Sequence, residues 1–131
     1  DSFSEKFVAL SFTKKDKVSN VKTKYAINKL NDFYSNTEVF SNEGTIEHII
    51  PEEEQGDTLN IGNLILLEDK LNVEAGHKDY ANKCVVYEKS NYTWIKKFIA
   101  QHKQWDSSMI ETRAKEMAEV YYKEILKRKL Q

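Results

Sequence analysis

Four polar residues interrupt apolar stretches in an order that suits phosphodiester chemistry: Glu47, His48, Asn63 and Asn72. Glu47 and His48 lie inside "TIEHIIP", Asn63 follows Gly62 in "GNLILLE", and Asn72 follows Leu71 shortly after. A carboxylate or imidazole among Ile46, Ile49 and Ile50 is costly to bury without partners. Glu47 and Asn72 offer hard oxygens, one charged and one neutral. That pair suits Mg²⁺ or Mn²⁺, which keep several waters and accept phosphate oxygens. His48, with an ordinary pKa of about 6.5, can take a proton from water near neutral pH. The Asn63 amide is expected to bond the imidazole and leave its other nitrogen for that water. A general base beside a metal with few protein ligands is an arrangement that cleaves phosphodiesters. Each residue also has a plainer reading. His48 could be a hydrogen-bonded core histidine, Asn63 part of a Gly-Asn turn, and Asn72 an exposed helix residue; the four in this order favour a site.

Particular elements must position them. Residues 45–50 read as a strand stopped by Pro51, the only proline. Residues 63–68 read as a second strand after a polar loop. Glu68 and Asp69 suit the first turn of a following helix, where carboxylates oppose the helix dipole, and Gly76 suits its end. A hairpin with the helix packed back on it would bring all four side chains to one end. Successive strand residues point to opposite faces, however. Glu47 and His48 therefore converge only if the strand bends or ends there.

Helices are expected on either side of this unit, at about residues 4–10, 18–34, 79–88, 92–103 and onward from Ser108. Val21, Tyr25, Leu30 and Phe33 are expected inward on the second of these, and Trp94, Ile95, Phe98 and Ile99 on the fourth, with Asn91 as its cap. "SMIE" reads as a capping box opening the last helix, where Ile110, Ala114, Met117, Tyr121 and Ile125 recur at helical spacing. The expected fold class is α+β, mainly α-helical: a ββα hairpin-helix unit at about 45–76, embedded between helical extensions at 4–36 and 78–129 of one 1–131 domain.

The net charge of −1 argues against tight DNA binding by this chain alone, because such binders are usually basic. Charge is unevenly spread. Lys14, Lys15, Lys17, Lys22, Lys24 and Lys29 crowd the N-terminal part, and Lys123, Lys127, Arg128 and Lys129 the end, while residues 38–57 carry acids without Lys or Arg. The basic clusters read first as solvated helix faces, and second as phosphate contacts beside an acidic metal site. Glu52, Glu53 and Glu54 read as a solvated loop, and His102 as a partner of a helix C-terminus. Cys84 is the only cysteine, so an intrachain disulfide and a thiolate-rich zinc site are excluded. It reads as a core residue, and sparse cysteine fits a cytoplasmic location. No apolar run is long enough to span a bilayer, and the start lacks a signal-peptide pattern. Without an initiator Met, the chain is expected to be a domain of a longer protein.

The string "TIEHIIP…GNLILL…LN…Y..K…Y..S" resembles the ββα-metal motif of HNH endonucleases. Within that superfamily it resembles the C-terminal nuclease domain of GmrSD-type restriction proteins, which also ends the phosphorothioate-dependent SspE defence proteins. The likeness runs from about Tyr25 to Ile125 and is strongest from Thr45 to Ser90. It implies Glu47 and Asn72 as metal ligands, His48 as general base and Asn63 as the residue that positions it. Lys83, Tyr87 and Ser90 match the downstream pattern, with packing and phosphate contact both open. His77 stands where the branch often has Asn, so it is a third ligand, a phosphate contact or a surface residue. The implied function is a Mg²⁺- or Mn²⁺-dependent DNA endonuclease or nickase, the effector of an antiphage restriction system. Its implied partners are phage double-stranded DNA and an N-terminal ParB-like NTPase domain. One HNH site cuts one strand, so a dimer is expected where both strands are cut. Two other functions compete: a non-catalytic helical interaction domain with a degenerate ββα unit, and an HNH-fold RNase.

Overall fold

The computed structural model describes residues 2–13, 20–35, 44–52 and 57–126. Gly44–His48 (β1) and Leu64–Glu68 (β2) pair antiparallel, with Glu47 opposite Ile65 and His48 opposite Leu64. Leu64, Ile65, Leu66 and Leu67 are all buried, so β2 shows no polar alternation. Elements packed on both faces of the ribbon account for that run. The first strand stops at His48, two residues short of the expected end. Ile49 and Ile50 form a bend, tied down where the Ile49 amide donates to the Asn63 carbonyl at 3.0 Å.

Asp69–Ala75 (α3) follows β2 directly and ends at Gly76, whose φ of 49° is a left-handed conformation that suits glycine. Tyr80–Tyr87 (α4) starts from Asp79, whose carboxylate accepts from the Asn82 amide. Thr93–Gln101 (α5) buries Trp94, Ile95 and Phe98. Asn91 does not cap it. The Asn91 amide instead donates to Glu68 Oε2, and the Tyr92 amide donates to Ser90 Oγ. Ile110–Val120 (α6) is preceded by a short 3-10 turn, Ser107–Met109. Asp106 caps that turn by accepting from the Ser108 amide, so the chain turns in ahead of Ser108 and the expected capping box does not form. Ile110, Ala114, Met117 and Tyr121 are buried as their spacing predicts.

Ser2–Val8 (α1) packs against α6, and Asn20–Ser35 (α2) against β2 and α5. The buried stripe of α2 is Asn20, Thr23, Ala26, Ile27, Leu30 and Asn31. Val21 and Tyr25, expected inward, are 68% and 48% exposed. The stripe is rotated because polar residues on it find backbone partners. Thr23 Oγ1 donates to the Ser11 carbonyl at 2.6 Å, and Asn20 exchanges two hydrogen bonds with the Thr13 backbone. These bonds hold residues 10–13 as a strap across residues 59–61, secured by the Phe12 amide on the Leu59 carbonyl and the Ile61 amide on the Leu10 carbonyl. The class is therefore α+β and mainly helical, with one two-stranded antiparallel ribbon among the described residues.

Candidate active site

Glu47 and His48 are adjacent on β1 and turn to opposite faces, as strand geometry requires. Glu47, only 2% exposed, faces α4. Its Oε2 accepts from Lys83 Nζ at 2.9 Å and from the Tyr87 hydroxyl at 2.5 Å. Lys83 Nζ also donates to the His48 carbonyl at 2.7 Å. One buried ammonium thus fixes both the carboxylate and the end of the strand. Both side-chain bonds fall on Oε2, so neither occupies Oε1. Burial foremost, and the Glu47 carboxylate next, push the Tyr87 hydroxyl well above its usual pKa of 10.0. It stays a neutral donor.

His48 faces the strap. Its Nε2 lies 2.8 Å from the Phe12 carbonyl, and its ring sits 5.9 Å from the Phe12 ring. A carbonyl only accepts, so Nε2 carries the proton, and in the neutral imidazole Nδ1 is the basic nitrogen. The imidazole is 3% exposed.

Asn63 is wholly buried, and all four hydrogen-bonding positions of its amide are used. Oδ1 accepts from the Ile50 amide at 3.0 Å and from Trp105 Nε1 at 3.1 Å; Nδ2 donates to the Ile50 carbonyl at 2.9 Å and the Thr58 carbonyl at 2.8 Å. The expected bond from this amide to the imidazole is replaced by these. Asn63 holds the backbone just after His48 instead of holding the ring. Gly62 must be glycine for a steric reason, since a Cβ there would lie 2.1 Å from the Ile110 carbonyl oxygen.

Asn72, on α3, shares the Thr45 and Glu47 face of β1. Its Nδ2 donates to Thr45 Oγ1 at 2.9 Å and to the Ile46 carbonyl at 3.0 Å. Two bonds through nitrogen orient the amide and leave Oδ1 out of both. His77 is exposed in the turn between α3 and α4. Lys83 and Tyr87 are buried, and both bind the Glu47 carboxylate. Ser90 Oγ donates to Glu68 Oε1 at 2.6 Å and shapes the turn between α4 and α5.

A family model describing the C-terminal domain of GmrSD restriction endonucleases matches residues 1–120. The chain belongs to that family. This makes it a restriction endonuclease-type domain. No curated protein matches it.

Within this GmrSD-type domain the donor set sets limits on a metal. Among the described residues no group of three His, Cys, Asp or Glu side chains is placed to hold an ion. A cation held by the expected pair, Glu47 and Asn72, would have to keep several waters, which Mg²⁺ and Mn²⁺ do. From these two residues such an ion would take one carboxylate oxygen and one amide oxygen.

Sequence reasoning did not reach the Phe12 carbonyl, Trp105 or Arg113. Arg113 is buried, and its Nη1 donates to the Gly62 carbonyl at 2.9 Å and the Leu64 carbonyl at 2.7 Å. A signal existed, since Arg113 interrupts the apolar face carrying Ile110, Ala114 and Met117. The Phe12 contact comes from backbone and had no residue-type signal. Lys22 and Lys24 are exposed, as a solvated face predicts, whereas Lys14, Lys15, Lys17, Lys127, Arg128 and Lys129 lie outside the described residues. Glu52 binds Thr13 Oγ1, while Glu53 and Glu54 lie outside the described residues too.

Proposed function

We propose that this domain is a divalent-metal-dependent DNA endonuclease that nicks one strand, acting as the effector of an antiphage restriction system with His48 as general base. The observation that carries the reading is the 2.8 Å contact of His48 Nε2 with the Phe12 carbonyl, from which Nδ1 is inferred to be the basic nitrogen of the neutral ring. Glu47 and Asn72 carry their oxygens on the other face of β1, so the reading requires base and cation to meet at the end of the strand, which stops at His48. His48 takes the proton of the attacking water at Nδ1. Glu47 Oε2 is held by the Lys83 ammonium and the Tyr87 hydroxyl, and Oε1 would serve the cation. Asn72 would offer Oδ1 to the same ion, and Asn63 keeps residues 49–50 in place so that His48 does not drift. When bound, Mg²⁺ or Mn²⁺ supplies positive charge to the phosphate and the leaving oxygen. The imidazole is nearly inaccessible, so the His48 face must open when DNA is engaged. Delivery by an N-terminal ParB-like NTPase domain fits a chain whose net charge is −1. Two copies would account for cutting both strands.

The burial of Glu47 and His48 favours one second reading, a non-catalytic domain in which both residues are structural. Mn²⁺ titration of the wild-type chain, Glu47→Gln and Asn72→Ala separates the two, with supercoiled plasmid and single-stranded RNA as substrates. The proposal expects weaker Mn²⁺ binding in both variants and plasmid nicking that EDTA abolishes. Equal Mn²⁺ binding in folded variants refutes the assigned ligands. Cleavage of RNA alone makes the domain an RNase, and cleavage of neither substrate favours the structural reading.

A further inference from the structure

We propose that Arg113 and Trp105 form a clamp that positions His48 through Asn63. The inference deepens the nuclease reading and rests on it for its kinetic part. Arg113 Nη1 donates to the Gly62 and Leu64 carbonyls, the two that flank Asn63. Trp105 Nε1 donates to the Asn63 side chain itself, at Oδ1. Asn63 then grips both the amide and the carbonyl of Ile50, and its own carbonyl takes the Ile49 amide. Two contacts on the backbone and one on the side chain thus fix Asn63, which fixes the residues immediately after His48.

The guanidinium is built into this place by stacking and not by an ion pair. It lies 4.9 Å from the Phe98 ring centre, 5.3 Å from Trp94 and 5.9 Å from Trp105. Among the described residues no carboxylate lies within ion-pair distance of it, Glu116 acting only from farther off, and Nη2 is buried with no hydrogen-bond partner. A buried cation with an unused donor is a poor choice for stability alone. Burial also lowers its pKa to about 10. The planar fork does what an apolar residue would not: one nitrogen reaches the two carbonyls on either side of Asn63 while the guanidinium lies over three rings. Trp105 serves both parts, since its ring supports the guanidinium and its N–H reaches Asn63.

The test compares wild type with Arg113→Lys and Trp105→Phe in the full chain, by amide hydrogen exchange and by nicking kinetics. Trp105→Phe keeps an aromatic ring and loses only the N–H donor, so it remains informative where Arg113→Lys folds poorly. The clamp predicts that the Ile49 and Ile50 amides lose protection by roughly 10-fold or more relative to Ile27 and Leu30 of α2, because local opening costs less than global unfolding. It also predicts kcat for plasmid nicking reduced roughly 10–100-fold with KM for DNA little changed, as for a misplaced base. A merely structural role would lower protection of all four amides together. Uniform loss, or unchanged Ile49 and Ile50 exchange in folded variants, overturns the clamp. A raised KM with unchanged kcat overturns it too, by making Arg113 a DNA contact. If the wild-type chain does not nick DNA, the nuclease reading fails, and the exchange data still decide the clamp.

Discussion

Replacing Lys83 with Met is expected to be among the most damaging substitutions outside the apolar core. Lys83 is wholly buried, and its ammonium has two acceptors, Glu47 Oε2 at 2.9 Å and the His48 carbonyl at 2.7 Å. Met fills a similar volume, so the loss is electrostatic and not a cavity. It leaves a buried carboxylate whose remaining partner is the Tyr87 hydroxyl. Removing one member of a buried pair typically costs about 3–5 kcal/mol. With an unfolding entropy of about 2.1 cal/mol/K per residue over 131 residues, that lowers Tm by about 11–18 °C. Circular dichroism melts and urea unfolding at pH 7 measure it. The paired substitution Glu47→Gln with Lys83→Met removes the orphaned charge, and should recover about 1–3 kcal/mol relative to Lys83→Met alone. Two results would refute the reasoning: a Lys83→Met chain within about 1 kcal/mol of wild type, the range of an exposed pair, or a double variant whose loss is the sum of the single losses.

Gly62→Ala places a Cβ 2.1 Å from the Ile110 carbonyl oxygen, so it should destabilise by at least about 1–3 kcal/mol in thermal melts; an unchanged Tm would show that α6 moves away freely. Stability should fall as pH rises past about 10. Tyr87, Tyr80, Tyr34 and Tyr121 are all held above their usual value, burial being the main cause, so unfolded tyrosines release protons near pH 10 while folded ones keep theirs. Arg113 alone among the groups discussed pulls the other way. Urea midpoints from pH 8 to 11 should therefore decline, less steeply in Tyr87→Phe, and a flat profile would contradict this. Glu74→Ala breaks an exposed pair with Lys89 at 2.7 Å and should shift stability by no more than about 0.5 kcal/mol in urea unfolding; a larger effect would mean that exposed pairs matter more here than their setting implies.

Much of the framework was legible because it is written in local patterns. Gly76 marked the end of α3, and the recurrence of Ile110, Ala114 and Met117 marked the inner face of α6. The pairing of two strands around the candidate residues followed from two apolar runs separated by a polar loop. Legibility failed where a side chain's partner is backbone far away in sequence. Thr23 and Asn20 turn α2 about its axis because they bond Ser11 and Thr13, which no helical periodicity records. Asn91 lost its capping role to a carboxylate on β2, and Ser108 lost its own to Asp106 just before it. At the site, residue types pointed to Glu47, His48, Asn63 and Asn72, but the partners of Asn63 were misread. An amide with four bonding positions offers no clue in sequence about which backbone groups will fill them. Lys83 and Tyr87 were legible only as a match to the downstream pattern, with packing and phosphate contact both open, because their partner Glu47 lies far away in sequence.

The central claim is that His48 is the base of a DNA-cleaving site. The most direct measurement is the nicking rate of supercoiled plasmid in Mg²⁺ by the wild-type chain and by His48→Ala, with the fold of the variant checked by circular dichroism. The account predicts wild-type nicking and a rate reduced by about 10²–10⁴-fold in His48→Ala, the range for loss of a general base. Undiminished nicking by folded His48→Ala would contradict it.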